Sequence, residues 1–373
     1  MTGATTREIV VVSGYYGFDN LGDEAILEEL TNELKRLVSP NKIIVLSAAP
    51  ENTSKTYGVR AEDRMDLLRL IELFRSAKLF VSGGGGLFQD TKSFGSALYY
   101  GMQILLAKSL GAKVVVYAQG LGPLNRPVSK WITRRAFAQC DAIAVRDPVS
   151  HDLLENWQIP SQVTADPVWC LESKPLPESV QQQLNGIKSA RLVGLSLRES
   201  PNFSDHHLNN LVEGLLKALP TTAHVLLLPL QPSQDRAPLN KFAAAWTSKG
   251  RECTLIDTSS LIYPSQWISL FGRCKLVVAM RLHALIMSLK AGVGVVGIDY
   301  DPKVSRVLSE FEQPALILAK DADAAQWETT LVNAFADWEK LARRAMKKAE
   351  GAKKLACQNF NLLDTILNVQ KHG

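Results

Sequence analysis

Nothing in these 373 residues approaches the roughly 18 consecutive apolar positions that a bilayer-crossing helix requires, so no membrane span is expected. The five cysteines, Cys140, Cys170, Cys253, Cys274 and Cys357, are widely spaced and form no CxxC pair. That argues against a zinc ribbon or a dithiol redox centre and leaves them as small core residues. Gly14, Gly17 and Gly22 in the loop after the first strand pattern do not have the GxGxxG spacing, so that loop is no dinucleotide fingerprint, and GxxxxGKS/T is missing, which argues against an NTPase P-loop. No low-complexity tract and no short repeat is present. Charge is not in excess either: 42 Lys+Arg against 37 Asp+Glu leaves +5, too small and dispersed to mark a nucleic-acid binder. The opening MTGATTREIVVVSGYYG passes directly into a strand pattern without a signal-type charged and apolar sequence, so a cytoplasmic location is expected.

What is there is the composition of a compact soluble chain, 46% hydrophobic and 21% charged, long enough for two domains at roughly 150 residues each. Short β-branched runs alternate with helical patterns: EIVVVSG (8–14), KIIVLSA (42–48), KLFVSGG (78–84), KVVVYAQG (113–120) and DAIAVRD (141–147). Continuous apolar strands separated by helices predict a parallel sheet covered on both faces. After Asp166, which starts a turn, PVWCLESKPLPESV has three prolines and neither period, as a linker would. The alternation restarts with RLVGLSLR (191–198), HVLLLPL (224–230), CTLID (253–257), KLVVAM (275–280) and GVGVVGID (292–299). The expected fold is α/β: doubly wound domains over 1–172 and 184–325 facing a cleft, a linker at 173–183, and a C-terminal helical segment over 326–373.

That last segment, helical from about Asp321, contains WEKLARRAMKKAEGAKKLA. Lys340, Arg343, Arg344, Lys347, Lys348, Lys353 and Lys354 recur mostly at three- and four-residue steps. A solvated helix face and a surface for anionic lipid both fit that spacing. His206 and His207 in NFSDHHLNN read as exposed at a helix start, with nothing nearby to complete a metal set.

Three loops could carry chemistry. In SGYYGFDNLGDEAIL, Gly14, Gly17 and Gly22 follow a strand, Asp19 or Asn20 can cap the next helix, and Tyr15 and Tyr16 could stack on a sugar or pack in the core. In FVSGGGGLFQD, Gly83, Gly84, Gly85 and Gly86 let the backbone approach a ligand closely, and their N–H groups could form an anion-binding nest. In AMRLHALIMSLKAGVGVVGIDYDPKV, Arg281 and His283 follow a strand where a helix N-terminus adds partial positive charge, and Tyr300, Asp301 and Lys303 close the next strand. A lone histidine is usually a packing residue; an arginine two positions before it and a strand-end lysine twenty after it favour function for His283. Arg146 in AVRD, at another strand end, is either an anion clamp or a partner of Asp147 or of a helix end.

Taken together, SGYYGFDNLGDEAIL, SGGGGLFQD, YAQGLGP, AVRD, MRLHALI and GIDYDPKV resemble, in order and from Ser13 to about Val304, the polysaccharide pyruvyl transferase family, most closely its CsaB-type members. The resemblance implies two Rossmann-like domains similar to the type-B glycosyltransferase fold, with an acceptor-side first domain, phosphoenolpyruvate as donor, and no cofactor or obligatory metal. It also implies a lipid-diphosphate-linked saccharide acceptor, and with it peripheral contact with the inner membrane surface. The family's RLH maps onto Arg281, Leu282 and His283, its DPK lysine onto Lys303 and its strand-end arginine onto Arg146. Phosphoenolpyruvate carries a carboxylate and a phosphate close together, which Arg281, Lys303, Arg146 and the Gly83 to Gly86 loop suit chemically. His283 would be the acid/base, since an imidazole with an ordinary pKa of roughly 6.5 exchanges protons at cellular pH. A nucleotide-sugar glycosyltransferase and a non-catalytic carbohydrate- or anion-binding protein remain the competing readings, because fold alone does not separate them.

Overall fold

A computed structural model describes residues 7–90, 94–189, 191–318 and 323–368. Its chain forms two compact units, Met1–Leu171 with Ala352–Gly373, and Glu172–Gly351. The first unit holds β1 (Ile9–Ser13), β2 (Ile43–Ser47), β3 (Arg60–Asp63), β4 (Ala77–Ser82), β5 (Gly85–Phe88), β6 (Lys113–Leu121), β7 (Ala142–Val145) and β8 (Gln162–Val163). They form one parallel sheet in the order β3-β2-β1-β4-β6-β7-β8, with β5 beside β6. The second unit holds β9 (Leu192–Ser196), β10 (His224–Leu227), β11 (Cys253–Leu255), β12 (Leu276–Ala279), β13 (Gly294–Asp299) and β14 (Ala315–Ile317), parallel in the order β11-β10-β9-β12-β13-β14. Both orders reverse beside their first strand, between β1 and β4 and between β9 and β12, which is where open α/β sheets bind ligands.

Every apolar run becomes a strand because helices cover both sheet faces: all of IIVLS in β2 and LVGLS in β9 is buried. The strands without such a run are β3 (RAED), the two-residue β8 and the short β14, all sheet edges, and β5, built from the glycine loop.

The expected division of the chain needs two corrections, at residues 173–183 and 326–373. Residues 173–183 belong to the second unit, where helix Glu178–Asn185 buries Val180 and Leu184. The start of the C-terminal helical pattern, Asp321, lies outside the described residues, and helix Ala324–Ala336 begins on an Asp323 cap. The 326–373 segment is shared: Ala352–Gly373 fold with the first unit, where buried Asn359 accepts from Thr164 Oγ1 (2.8 Å) and donates to the Ala165 carbonyl (3.0 Å). Basic residues of helix Trp338–Ala356 are largely used internally, Arg344 and Lys348 on Glu312, Lys340 on Asp337 and Arg343 on Glu339. Two smaller expectations also change. His207 is buried, because it forms a reciprocal cap with Ser204 and its ring lies 5.8 Å from that of Trp327. Cys357 is exposed rather than core, its Sγ 2.9 Å from that of buried Cys170.

Helix Leu21–Leu37 buries acids as well as leucines. Burial pushes the Glu33 carboxyl up to about 8, opposed by the hydrogen bond it accepts from Tyr117 Oη at 2.7 Å. Burial likewise raises Glu24 to about 7, opposed by the bonds from the Gly17 N–H and Tyr57 Oη. A raised folded-state pKa means the folded chain keeps protons the unfolded chain loses, so stability falls as pH rises from about 4.5 through about 8. Replacing Glu33 by Gln, which preserves the acceptor for Tyr117, is expected to remove much of that slope and to stabilise the protein above pH 8 by on the order of a few kcal/mol. Melting curves across pH 5–9 of both proteins check this; parallel curves would refute it.

Candidate active site

In the second unit, the strand ends at the sheet's reversal point lead directly into helices. β12 leads through Met280 to Arg281, the N-terminal flank of helix Leu282–Lys290, and β13 leads to Asp301, which caps helix Pro302–Glu310 by accepting the Lys303 N–H at 2.9 Å. His283 and Lys303 therefore occupy the same place, the second residue of each helix, behind neighbouring strands. Neither helix has an acidic residue within its first turn, and at the second helix the Asp301 cap already places one carboxylate against the partial positive charge. Two helix N-termini with a titratable base and a lysine among their first amides make a site that an anion stabilises. His283 Nε2 is buried. Asp301 acts as a cap and is placed on the backbone.

Arg281 is 7% exposed and is not an open clamp. Its Nε and Nη2 donate to the fully buried carboxylate of Asp235, with the shortest contact at 2.5 Å, and Nη2 also reaches Gln231 Oε1 at 3.2 Å. Burial pushes the Asp235 carboxyl up, and the Arg281 guanidinium works against that. Nη1 of Arg281 makes no hydrogen bond among the described residues. Beside this pair stands Arg198, just after β9, donating to Gln234 Oε1 (2.9 Å) and to Tyr300 Oη (3.2 Å). Its guanidinium lies 5.5 Å from the Tyr300 ring centre. A pocket of about 100 Å³ opens next to it, lined by Arg198, Ser200, Phe203, Pro238 and Lys241 among others. Arg198 and the QPSQD stretch carrying Gln231, Gln234 and Asp235 escaped the sequence reading; the signal was a polar run with a proline directly after an apolar strand.

In the first unit the glycine loops meet across a buried tyrosine. A Cβ on Gly14 would lie 2.3 Å from the Tyr16 ring, and one on Gly83 would lie 2.1 Å from its hydroxyl. Tyr16 is fully buried, so these two glycines make room for it. The Gly83 N–H goes to the Ser13 carbonyl at 2.7 Å, Gly84 packs on Ile26 and the Ala118 carbonyl, and Gly85 and Gly86 begin β5. The open nest of four N–H groups is thus corrected to a close-packed strand crossing, its Gly85 carbonyl accepting from Gln119 at 2.7 Å. Asn20 is the cap of helix Leu21–Leu37, while Asp19 takes a left-handed backbone (φ +54°). Tyr15 stacks on Phe18 with ring centres 4.1 Å apart. Arg146 lies against Gly120 and forms a buried ion pair with Asp166 at 2.6 Å, so the carboxylate it pairs with is Asp166 and not Asp147. Asp147 instead caps helix Pro148–Asn156.

Among the described residues no three His, Cys, Asp or Glu side chains are grouped as a metal site would need. The fold is shared with nucleotide-sugar enzymes at low identity. A putative UDP-N-acetylglucosamine 2-epimerase from Listeria monocytogenes superposes with TM-score 0.66 at 11% identity, covering 98% of each chain. The UDP-GlcNAc 2-epimerase of Neisseria meningitidis bound to UDP-GlcNAc gives 0.64 at 12%, covering 96% of this chain and 100% of that one. Anabaena HepE in complex with UDP-glucose gives 0.59 at 11%, covering 97% and 99%. Two Rossmann-like units of this kind, with cationic side chains where strands end and helices begin, define a type-B glycosyltransferase-like architecture. Within that class residues 20–302 match the polysaccharide pyruvyl transferase model, and the chain belongs to that family.

Proposed function

We propose that this pyruvyl transferase takes its group from phosphoenolpyruvate and places it on two hydroxyls of one sugar in a cell-wall or exopolysaccharide precursor, releasing phosphate and leaving a cyclic ketal. The observation that carries this reading is the pair of neighbouring helix starts bearing His283 and Lys303 behind β12 and β13. The donor phosphate sits at those N-termini with Lys303. The donor carboxylate meets the Nη1 edge of Arg281, whose orientation Asp235 sets. His283 gives a proton to the enol methylene, which leaves a cation at C2. A sugar hydroxyl attacks C2 and returns its proton to the imidazole, phosphate departs with the C2–O bond electrons, and a second hydroxyl closes the ring as its proton passes to the departing phosphate. The net change is one phosphate released for one ketal formed, without a redox partner, cofactor or metal in any step. The acceptor is a lipid-diphosphate-linked saccharide on the cytoplasmic side, and the first unit receives it through the loop of Tyr15, Asp19 and Asn20.

The test is phosphate release from phosphoenolpyruvate with a panel of lipid-diphosphate saccharides, with mass analysis of the sugar. Acceptor-dependent release and a product heavier by one ketal-linked pyruvyl group are expected. No release with any acceptor, together with thermal stabilisation by UDP but not by phosphoenolpyruvate, would transfer the reading to glycosyl transfer.

A further inference from the structure

Large apolar side chains are exposed in one region of the first unit far more than elsewhere. Phe94, Leu98 and Met102 stand at four-residue steps along helix Gly95–Ser109 and are all exposed, as are Trp131 at 63% on helix Pro127–Phe137 and Leu67 and Leu68 (77%) at the start of helix Leu67–Ser76. These helices are neighbours. A Cβ on Gly101 would lie 2.8 Å from Ile132, the Arg126 guanidinium lies 5.9 Å from the Phe94 ring centre, and Tyr99 donates to the Arg64 carbonyl at 2.6 Å. Each helix begins just after a strand, β3, β5 or β6, so most of the patch flanks the edge of the sheet that carries Gly14 and Gly83.

On the two helices that carry Phe94 to Trp131 charge has one sign, whereas exposed Asp66 and Glu72 stand beside Leu67 and Leu68 on the third. With 37 acids in 373 residues, fifty residues would carry about five; residues 91–140 carry none, and seven Lys or Arg. Lys108 and Lys113 pair with Asp141. Lys130, Arg134 and Arg135 are exposed on helix Pro127–Phe137 around Trp131 and take part in no ion pair among the described residues. A protein partner would suit an apolar patch with a mixed rim. The stripe on helices Gly95–Ser109 and Pro127–Phe137, with an interfacial tryptophan and a rim that is basic along those two helices, instead suits a surface that is greasy inside and anionic outside.

We infer that this face of the first unit docks on an anionic lipid bilayer, with Trp131, Leu98 and Phe94 entering the headgroup boundary and Lys130, Arg134 and Arg135 meeting lipid phosphates. Contact is peripheral, since no helix of the described residues is long and apolar enough to cross a membrane. It holds the ligand edge of this unit beside the bilayer, and it does not depend on the identity of the donor.

The test is co-sedimentation of the full chain with phosphatidylcholine vesicles and with phosphatidylglycerol-containing vesicles. The wild type is expected to pellet with the second and not the first. Lys130→Glu/Arg134→Glu/Arg135→Glu is expected to weaken that binding on the order of 100-fold, at about a fivefold contribution per basic residue. Leu98→Gln/Trp131→Gln is expected to lose it while keeping the wild-type circular dichroism spectrum and melting curve. Arg343→Glu/Lys347→Glu on the C-terminal helix is expected to bind as the wild type does. Equal pelleting with both vesicle types, or wild-type binding by the triple variant, overturns the inference. So does a dimer in analytical ultracentrifugation that Leu98→Gln/Trp131→Gln dissolves without any vesicle binding, which would make the face a contact between copies.

Discussion

His283→Ala is expected to lower turnover at saturating phosphoenolpyruvate by roughly 10²–10⁴-fold, the usual contribution of a positioned general acid–base group. The size follows from the step it serves. Protonating the enol carbon creates a cation beside a carboxylate and a phosphate, and water is a poor substitute for an acid held at that carbon. His283 stands in the first turn of helix Leu282–Lys290 with no acidic neighbour in that turn. A pure phosphate ligand would behave differently, because its loss raises KM and leaves kcat near the wild-type value. Steady-state kinetics therefore separate the roles, with His283→Gln as the variant that keeps a hydrogen-bonding group but no exchangeable acid. If His283→Ala turns over like the wild type once donor is saturating, the acid/base assignment fails.

The second large effect concerns folding. Asp235→Ala removes the only carboxylate among the described residues that touches the Arg281 guanidinium and leaves that charge buried, so a loss of about 3–5 kcal/mol is expected in chemical denaturation. The buried charge, not the lost contact, dominates the cost. Asp235→Ala/Arg281→Met should recover most of it, since replacing a buried pair by apolar groups is near neutral while breaking it is not. A strictly additive cycle, or an Asp235→Ala loss under 1 kcal/mol, would show that the pair does not organise the site. Donor binding gives an independent reading: the double variant should be folded yet show a raised KM, because Arg281 then offers nothing to the carboxylate.

Much of this architecture was readable from local pattern. IVVVS, IIVLS and LVGLS are strands wherever they are buried on both faces, and the MRLHALI and DYDPKV stretches announce a strand end followed by a helix start. Edge strands were not readable, since RAED in β3 buries too little to need an apolar run. Nor was the use of the four glycines. Their sequence is equally compatible with an open nest and with a crowded crossing, and Tyr16, buried over Gly14 and Gly83, decides for the crossing.

The sequence by itself determined the two α/β units, the family and the strand-end positions of Arg281, His283 and Lys303, because these depend on residue type and short-range period. Only the tertiary structure decided that Arg281 is held by Asp235, 46 residues away, and Arg146 by Asp166, 20 residues away. Partners so far apart are set by how strands order in the sheet, which no local spacing encodes. The same holds for Phe94, Leu98 and Met102. Their four-residue steps put them on one helix face without saying which way it points, and only the packing of the neighbouring helices leaves that face outward.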